Sequence, residues 1–175
     1  MTPFHRRMLG AALLDEGVYE EVEADRGATP QAFAVVVLSA LGAGIGSLEN
    51  GGLAGILWSA LAALVGWYVW AWLTYLIGTR LLPTAQTVSD PGELLRTLGF
   101  SSAPGVLRVL AVIPPIAGPV FLVCTLWLLV TMVVAIRQAL DYESTGRALA
   151  VCAIGFPVYA VILLVTLLLS GPWPV

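Results

Sequence analysis

Residues 119–138 read PVFLVCTLWLLVTMVVAIRQ, an unbroken apolar run that carries no charge until Arg137 closes it. At ~1.5 Å rise per residue, a helix of this length covers most of a ~30 Å hydrocarbon core. Comparable runs stand on both sides, so the solvent for this part of the chain is lipid. The whole chain is 59% hydrophobic and 11% charged with mean hydropathy +0.92, whereas soluble domains carry about 25% charged residues. The expectation is an all-α, multi-pass integral membrane protein: a five-helix transmembrane bundle with an N-terminal amphipathic helix. The spans fall at 31–48, 53–82, 99–113, 118–136 and 147–169 within one membrane domain, 29–171. Residues 1–28 precede it and 172–175 form a short tail.

All eight basic residues are arginines, and seven of them fall on alternate connections. Arg6, Arg7 and Arg26 precede the first span, Arg80 and Arg96 lie between the second and third, and Arg137 and Arg147 bracket the fourth connection. Short arginine-bearing segments stay on the cytoplasmic side. This predicts a cytoplasmic N-terminus, five crossings and a C-terminus outside. The first apolar run begins only near Gln31 after an acidic stretch, which predicts an uncleaved anchor rather than a signal peptide. A net charge of −3 excludes a nucleic-acid partner, since duplex binding needs a basic face.

Local signals place the elements. Thr2 and Pro3 read as cap and first-turn proline of one amphipathic helix over 3–25 along the membrane surface. Gly42 and Gly46 in the first span match Gly55, Ser59 and Ala63 in the second. Small residues let helix backbones approach closely, which predicts that spans one and two pack through these faces. Glu49 to Gly52 reads as a tight turn between them. Trp67, Tyr68, Trp70, Trp72 and Tyr75 read as an interfacial aromatic belt rather than a ligand cage. Asp90, Pro91 and Glu93 form a helix start with cap, first-turn proline and early acid. Pro104 predicts a kink in span three, Pro114 and Pro115 a break before span four, and Pro157 a bend in span five. Gly171 to Pro174 reads as an outer tail.

Chemistry is sparse. His5 is the sole histidine, and no nucleophile elbow or phosphate-cradling glycine loop occurs. No catalytic, cofactor or metal residues are assigned, and the expectation is a non-enzyme without a cofactor. Cys124 and Cys152 are expected at depths too different for a disulfide. Arg108 is the pointed residue, lying among Val106, Leu107, Val109 and Leu110 with no acid inside any span. A charge at that depth is costly. Its side chain is expected to extend to the nearby outer interface or to contact proline-freed carbonyls; the alternative is a pathway or headgroup-binding charge. Arg137, Gln138, Asp141 and Arg147 are the other candidate polar residues.

From residue 90 onward the series DPGELLRTLGFSSAPGVLRVL, then PPIAGPVFLVCTLWLLVTMVVAIRQALDYESTGRALAV, resembles the bacterial branch of the Yip (Ypt-interacting protein) domain family, as does YEEVEADRGATPQAFAVVVL near the N-terminus. The best-matching positions are Gly99, Phe100, Ala103, Pro104 and Gly105, with Trp127, Arg137 to Leu140 and Thr145 to Ala148. The resemblance implies a five-span domain with a cytoplasmic N-terminus in the inner membrane of a bacterial cell. In eukaryotes the family associates with small Rab-type GTPases and other Yip members. This chain lacks the long N-terminal extension of those members, so only topology and a tendency to assemble with membrane partners carry over. The function expected is a membrane scaffold or accessory subunit that associates laterally with other membrane proteins or itself; the alternative is a small-solute or lipid facilitator using the third and fourth spans.

Overall fold

The computed structural model describes residues 3–46 and 52–169. Among them the chain is all helical, with seven α-helices: α1 (Phe4–Ala12), α2 (Glu16–Ala24), α3 (Thr29–Gly46), α4 (Gly52–Leu76), α5 (Pro91–Ser101), α6 (Pro114–Ala139) and α7 (Thr145–Leu169). A π-helical turn, Ile77–Leu81, extends α4, and a 3-10 segment, Ala103–Val112, extends α5. Four helical stretches among the described residues are long and apolar enough to cross a membrane: Arg26–Gly46, Ile56–Leu81, Pro114–Ala139 and Thr145–Ile162. The readings of the Glu49 to Gly52 turn and of the 171–174 tail concern residues outside the described ones, apart from Gly52, which opens α4.

The span expected at 99–113 is not one α-helix. Asp90 opens α5 with a full capping box: its carboxylate accepts from the Gly92 and Glu93 amides, and the Glu93 side chain accepts from the Asp90 amide. α5 stops at Ser101, and Pro104 stands at the start of the 3-10 segment. Proline lacks the amide an α-helix needs from it, so the expected kink is resolved as a change of helix type. Pro114 opens α6 four residues ahead of the expected start, which leaves Pro119 inside the helix. Pro157 likewise lies inside α7.

Two helices replace the single N-terminal helix. Leu14 takes a left-handed φ of 65° and Asp15 caps α2 by accepting from the Gly17 amide. Pro3, not Thr2, is the N-cap residue of α1. Gly10 lets the two helices cross closely, since a Cβ there would stand 2.6 Å from Val18. The pair does not simply lie on a surface: it docks into the bundle. Tyr19 and Val22 are fully buried, and Phe4 meets the Phe100 ring at 6.4 Å.

The small-residue faces also pair differently. Gly42 and Gly46 of α3 meet the 3-10 segment: a Cβ on Gly42 would stand 2.7 Å from the Val106 carbonyl oxygen, and one on Gly46 would strike the Arg108 carbonyl. Only Gly44 faces α4, at Ile56. Ser59 is exposed and Ala63 half-buried, while Gly55 lies outside the residues whose surroundings are described. The 3-10 backbone, stripped of intervening side chain at Gly105, is the surface that α3 can approach most closely.

Candidate functional site

Two polar regions stand out. The first joins the N-terminal helices to the end of the bundle where the 82–90 and 140–144 connections lie. Arg7 is buried and donates from Nε and Nη2 to Glu21 (3.1 and 2.7 Å) and from Nη1 to Gln31 (3.2 Å), with Asp25 at 2.8 Å. Arg96, also buried, donates to the Val22 carbonyl (3.0 Å) and to the Glu23 carbonyl. These are the orphan carbonyls at the C-terminus of α2, where a cation also complements the helix dipole. Tyr19 donates to the Ala11 carbonyl (2.9 Å), and Trp127 donates to the Ala12 carbonyl (2.7 Å). Arg137 pairs with Glu16 and touches the Thr145 hydroxyl.

Burial and the hydrogen bonds set the charge states here. The Glu23 carboxyl is pushed up to about 7, by burial first and then by the neighbouring acids Glu93 and Asp141. Asp25 is held below the usual carboxylate range by its hydrogen bond from Arg7. Burial raises the Tyr19 phenol.

Of the sequence-assigned residues, Arg137 makes these contacts, Asp141 supplies a left-handed φ of 50° just past α6, and Gln138 and Arg147 take no part in the network described. The adjoining Tyr142 was missed. Its hydroxyl donates to the Leu82 carbonyl (2.8 Å) and reaches the Gly78 carbonyl (3.2 Å). The π-helical turn displaces the usual hydrogen bonding of those carbonyls, and a tyrosine three residues beyond the end of α6 satisfies them.

The second region is an open-sided cavity of about 390 Å³ lined by α3 to α7 and the 3-10 segment. Val36, Leu98, Leu128 and Phe156 give it apolar walls, and Ser39, Ser59, Trp70, Arg108 and Tyr159 give it polar groups. Two of the five residues of the expected aromatic belt, Trp67 and Trp70, therefore line the cavity. Trp70 is 9% exposed and stacks on Phe156 at 4.8 Å, and Trp67 donates to the Leu95 carbonyl (3.0 Å). Tyr68 and Trp72 remain on the outside.

Arg108 does not extend toward the Ile113 end. Its Nη2 donates to the Thr125 hydroxyl at 2.9 Å, and its guanidinium lies 5.6 Å from the Phe121 ring centre. Thr125 is about 16 Å along α6 from Pro114 at the ordinary helical rise. Side chains on a helix lean toward its N-terminus, and that direction carries Arg108 away from the nearer interface. Cys124 and Cys152 are free and buried.

A helical bundle with apolar outer faces, a polar cap at one end and an open-sided cavity is a multi-helix membrane domain. The model of the Yip1 domain matches residues 17–167, and the chain belongs to that family. No similar curated protein and no similar solved structure was found.

Proposed function

We propose that the chain is a non-enzymatic membrane scaffold or accessory subunit of the bacterial Yip type, which associates laterally with other membrane proteins or with itself. The observation that carries this is α4. Only 6% of its most apolar stretch is buried, against 44% for α3. Its exposed Leu57, Leu61 and Val65 recur every fourth residue, so they share one helix face, with Trp58 beside it, on which another membrane helix can pack.

The proposed topology is five crossings from a cytoplasmic N-terminus. α5 and the 3-10 segment together rise about 36 Å, enough for one crossing although neither is long alone. Gln86 donates to Glu143 at 2.9 Å, so the connections before α5 and after α6 share one end, and Arg137 ties α2 to that end. An out-and-back path between them supports the count, and the arginines support the orientation.

Purification from native membranes in mild detergent is expected to retain a partner or a multimer, and Leu57→Ala with Leu61→Ala, both exposed and outside the cavity, to release it. A strictly solitary monomer counts against the scaffold. The facilitator reading draws on the cavity beside Arg108, and flux across liposomes holding the purified chain alone is the outcome that would favour it.

A further inference from the structure

We infer that the cavity beside Arg108 binds the anionic head of an amphiphile, an oxyanion such as a phosphodiester or carboxylate carried on an apolar chain. Arg108 belongs to no ion pair among the described residues, and its Nε is buried without a hydrogen-bond partner. Trp70 Nε1, on the same cavity, is likewise buried and unpartnered. Unsatisfied donors and one uncompensated positive charge call for an acceptor of negative charge. Thr125 answers a single guanidinium nitrogen with a neutral hydroxyl, which leaves the charge itself unmatched.

The walls select what carries that acceptor. Val36, Leu98, Leu128 and Phe156 offer an apolar lining, and about 390 Å³ lies within the ~300–1,000 Å³ range of small-molecule sites. A free hydrated ion would have to shed water against those walls, whereas an acyl chain is at home there. Ser39, Ser59 and Tyr159 supply further hydroxyls near the head. This goes beyond lateral assembly and is tested on the isolated chain, so either reading can fail alone.

The test is titration of the purified full chain in uncharged detergent with phosphatidylglycerol, oleate, phosphatidylcholine or inorganic phosphate, followed by native mass spectrometry and thermal shift. Phosphatidylglycerol or oleate is expected to bind and raise the melting temperature, and the tighter of the two identifies the head group. Arg108→Gln is expected to weaken that binding about tenfold or more, the loss of a charge-assisted contact. Ala62→Phe fills the cavity from α4 with Arg108 intact and is expected to weaken it similarly, so the test survives if Arg108→Gln fails to fold. Arg147→Gln, outside the cavity, is expected to bind as wild type. Equal binding of phosphatidylcholine, equal binding of inorganic phosphate, or wild-type binding by both cavity variants would overturn the inference.

Discussion

Glu23 combines half-burial with two acidic neighbours, and its carboxyl is pushed up to about 7 from an ordinary 4.5. Burial is the larger cause, Glu93 and Asp141 the next, and Arg96 works the other way from below the α2 terminus, with Glu20 adding a small like charge. A carboxyl whose folded value lies above its unfolded one is penalised when ionised. Folding is therefore favoured below about 4.5 and loses that advantage as pH rises through about 7. Detergent-solubilised protein should melt higher near pH 5 than near pH 8, and Glu23→Gln should flatten the profile and stabilise the protein at the upper end. Solvent screening of a half-exposed group limits the gain to about 1 kcal/mol. A steeper fall for the variant than for wild type would show that other carboxyls control this window. Nothing in the sequence around YEEVEADRG marks this residue among the six acids of residues 1–28, because its neighbours Glu93 and Asp141 come from distant elements. Arg108 differs: its depth and lack of an acid were legible, but its direction was not, because Thr125 and Phe121 of the neighbouring α6 set it.

Between elements, the decisive contact is α3 against the 3-10 segment. Gly42 and Gly46 stand against the backbone of that segment, an approach that only a missing Cβ permits. Span two offers a matching small-residue spacing in the sequence, while Gly105 and the backbone at Val106 offer an equally bare surface that no side-chain pattern reveals. Gly42→Ala would set a Cβ against backbone atoms that cannot yield cheaply, 2.7 Å from the Val106 oxygen and 3.1 Å from its Cα. A loss of about 1–3 kcal/mol is expected from such overpacking. Gly118→Ala is the matched control, with nothing within 4 Å of its added Cβ. A chemical-denaturation series in mixed micelles should separate the two; equal stability would mean that the contact relaxes freely. The break between α1 and α2 was within reach of the sequence. Asp15 followed by Glu16 is a helix start, although the apolar spacing across it reads as continuous. Helix termini with strong local chemistry, such as Asp90 to Glu93, were legible because cap, proline and acid act within one turn.

At the scale of the whole molecule, the proposed orientation rests on charge and the proposed span count on geometry, and the two inputs are independent. The proposed arginine-bearing end gathers the N-terminal pair, the 82–90 connection and the 140–144 connection through Arg137, Tyr142 and Gln86. Arg7 and Arg96 are nevertheless buried there, held by Glu21 and by the α2 carbonyls. Their contribution to orientation thus depends on charge exposed during insertion, before these contacts form. A reporter fused after Val175 should be active only outside the cytoplasm, and one placed within 84–89 only inside. Replacing Arg80, Arg137 and Arg147 together should produce mixed orientation, since these three lie at span ends and only Arg137 forms a described ion pair. Replacing Arg7 and Arg96 should loosen the docked N-terminal helices, read as faster proteolysis between α1 and α2. A cytoplasmic reporter after Val175 would remove one crossing, and the segment to give it up would be Pro91–Val112, whose reach across the bilayer depends on the longer rise of its 3-10 half.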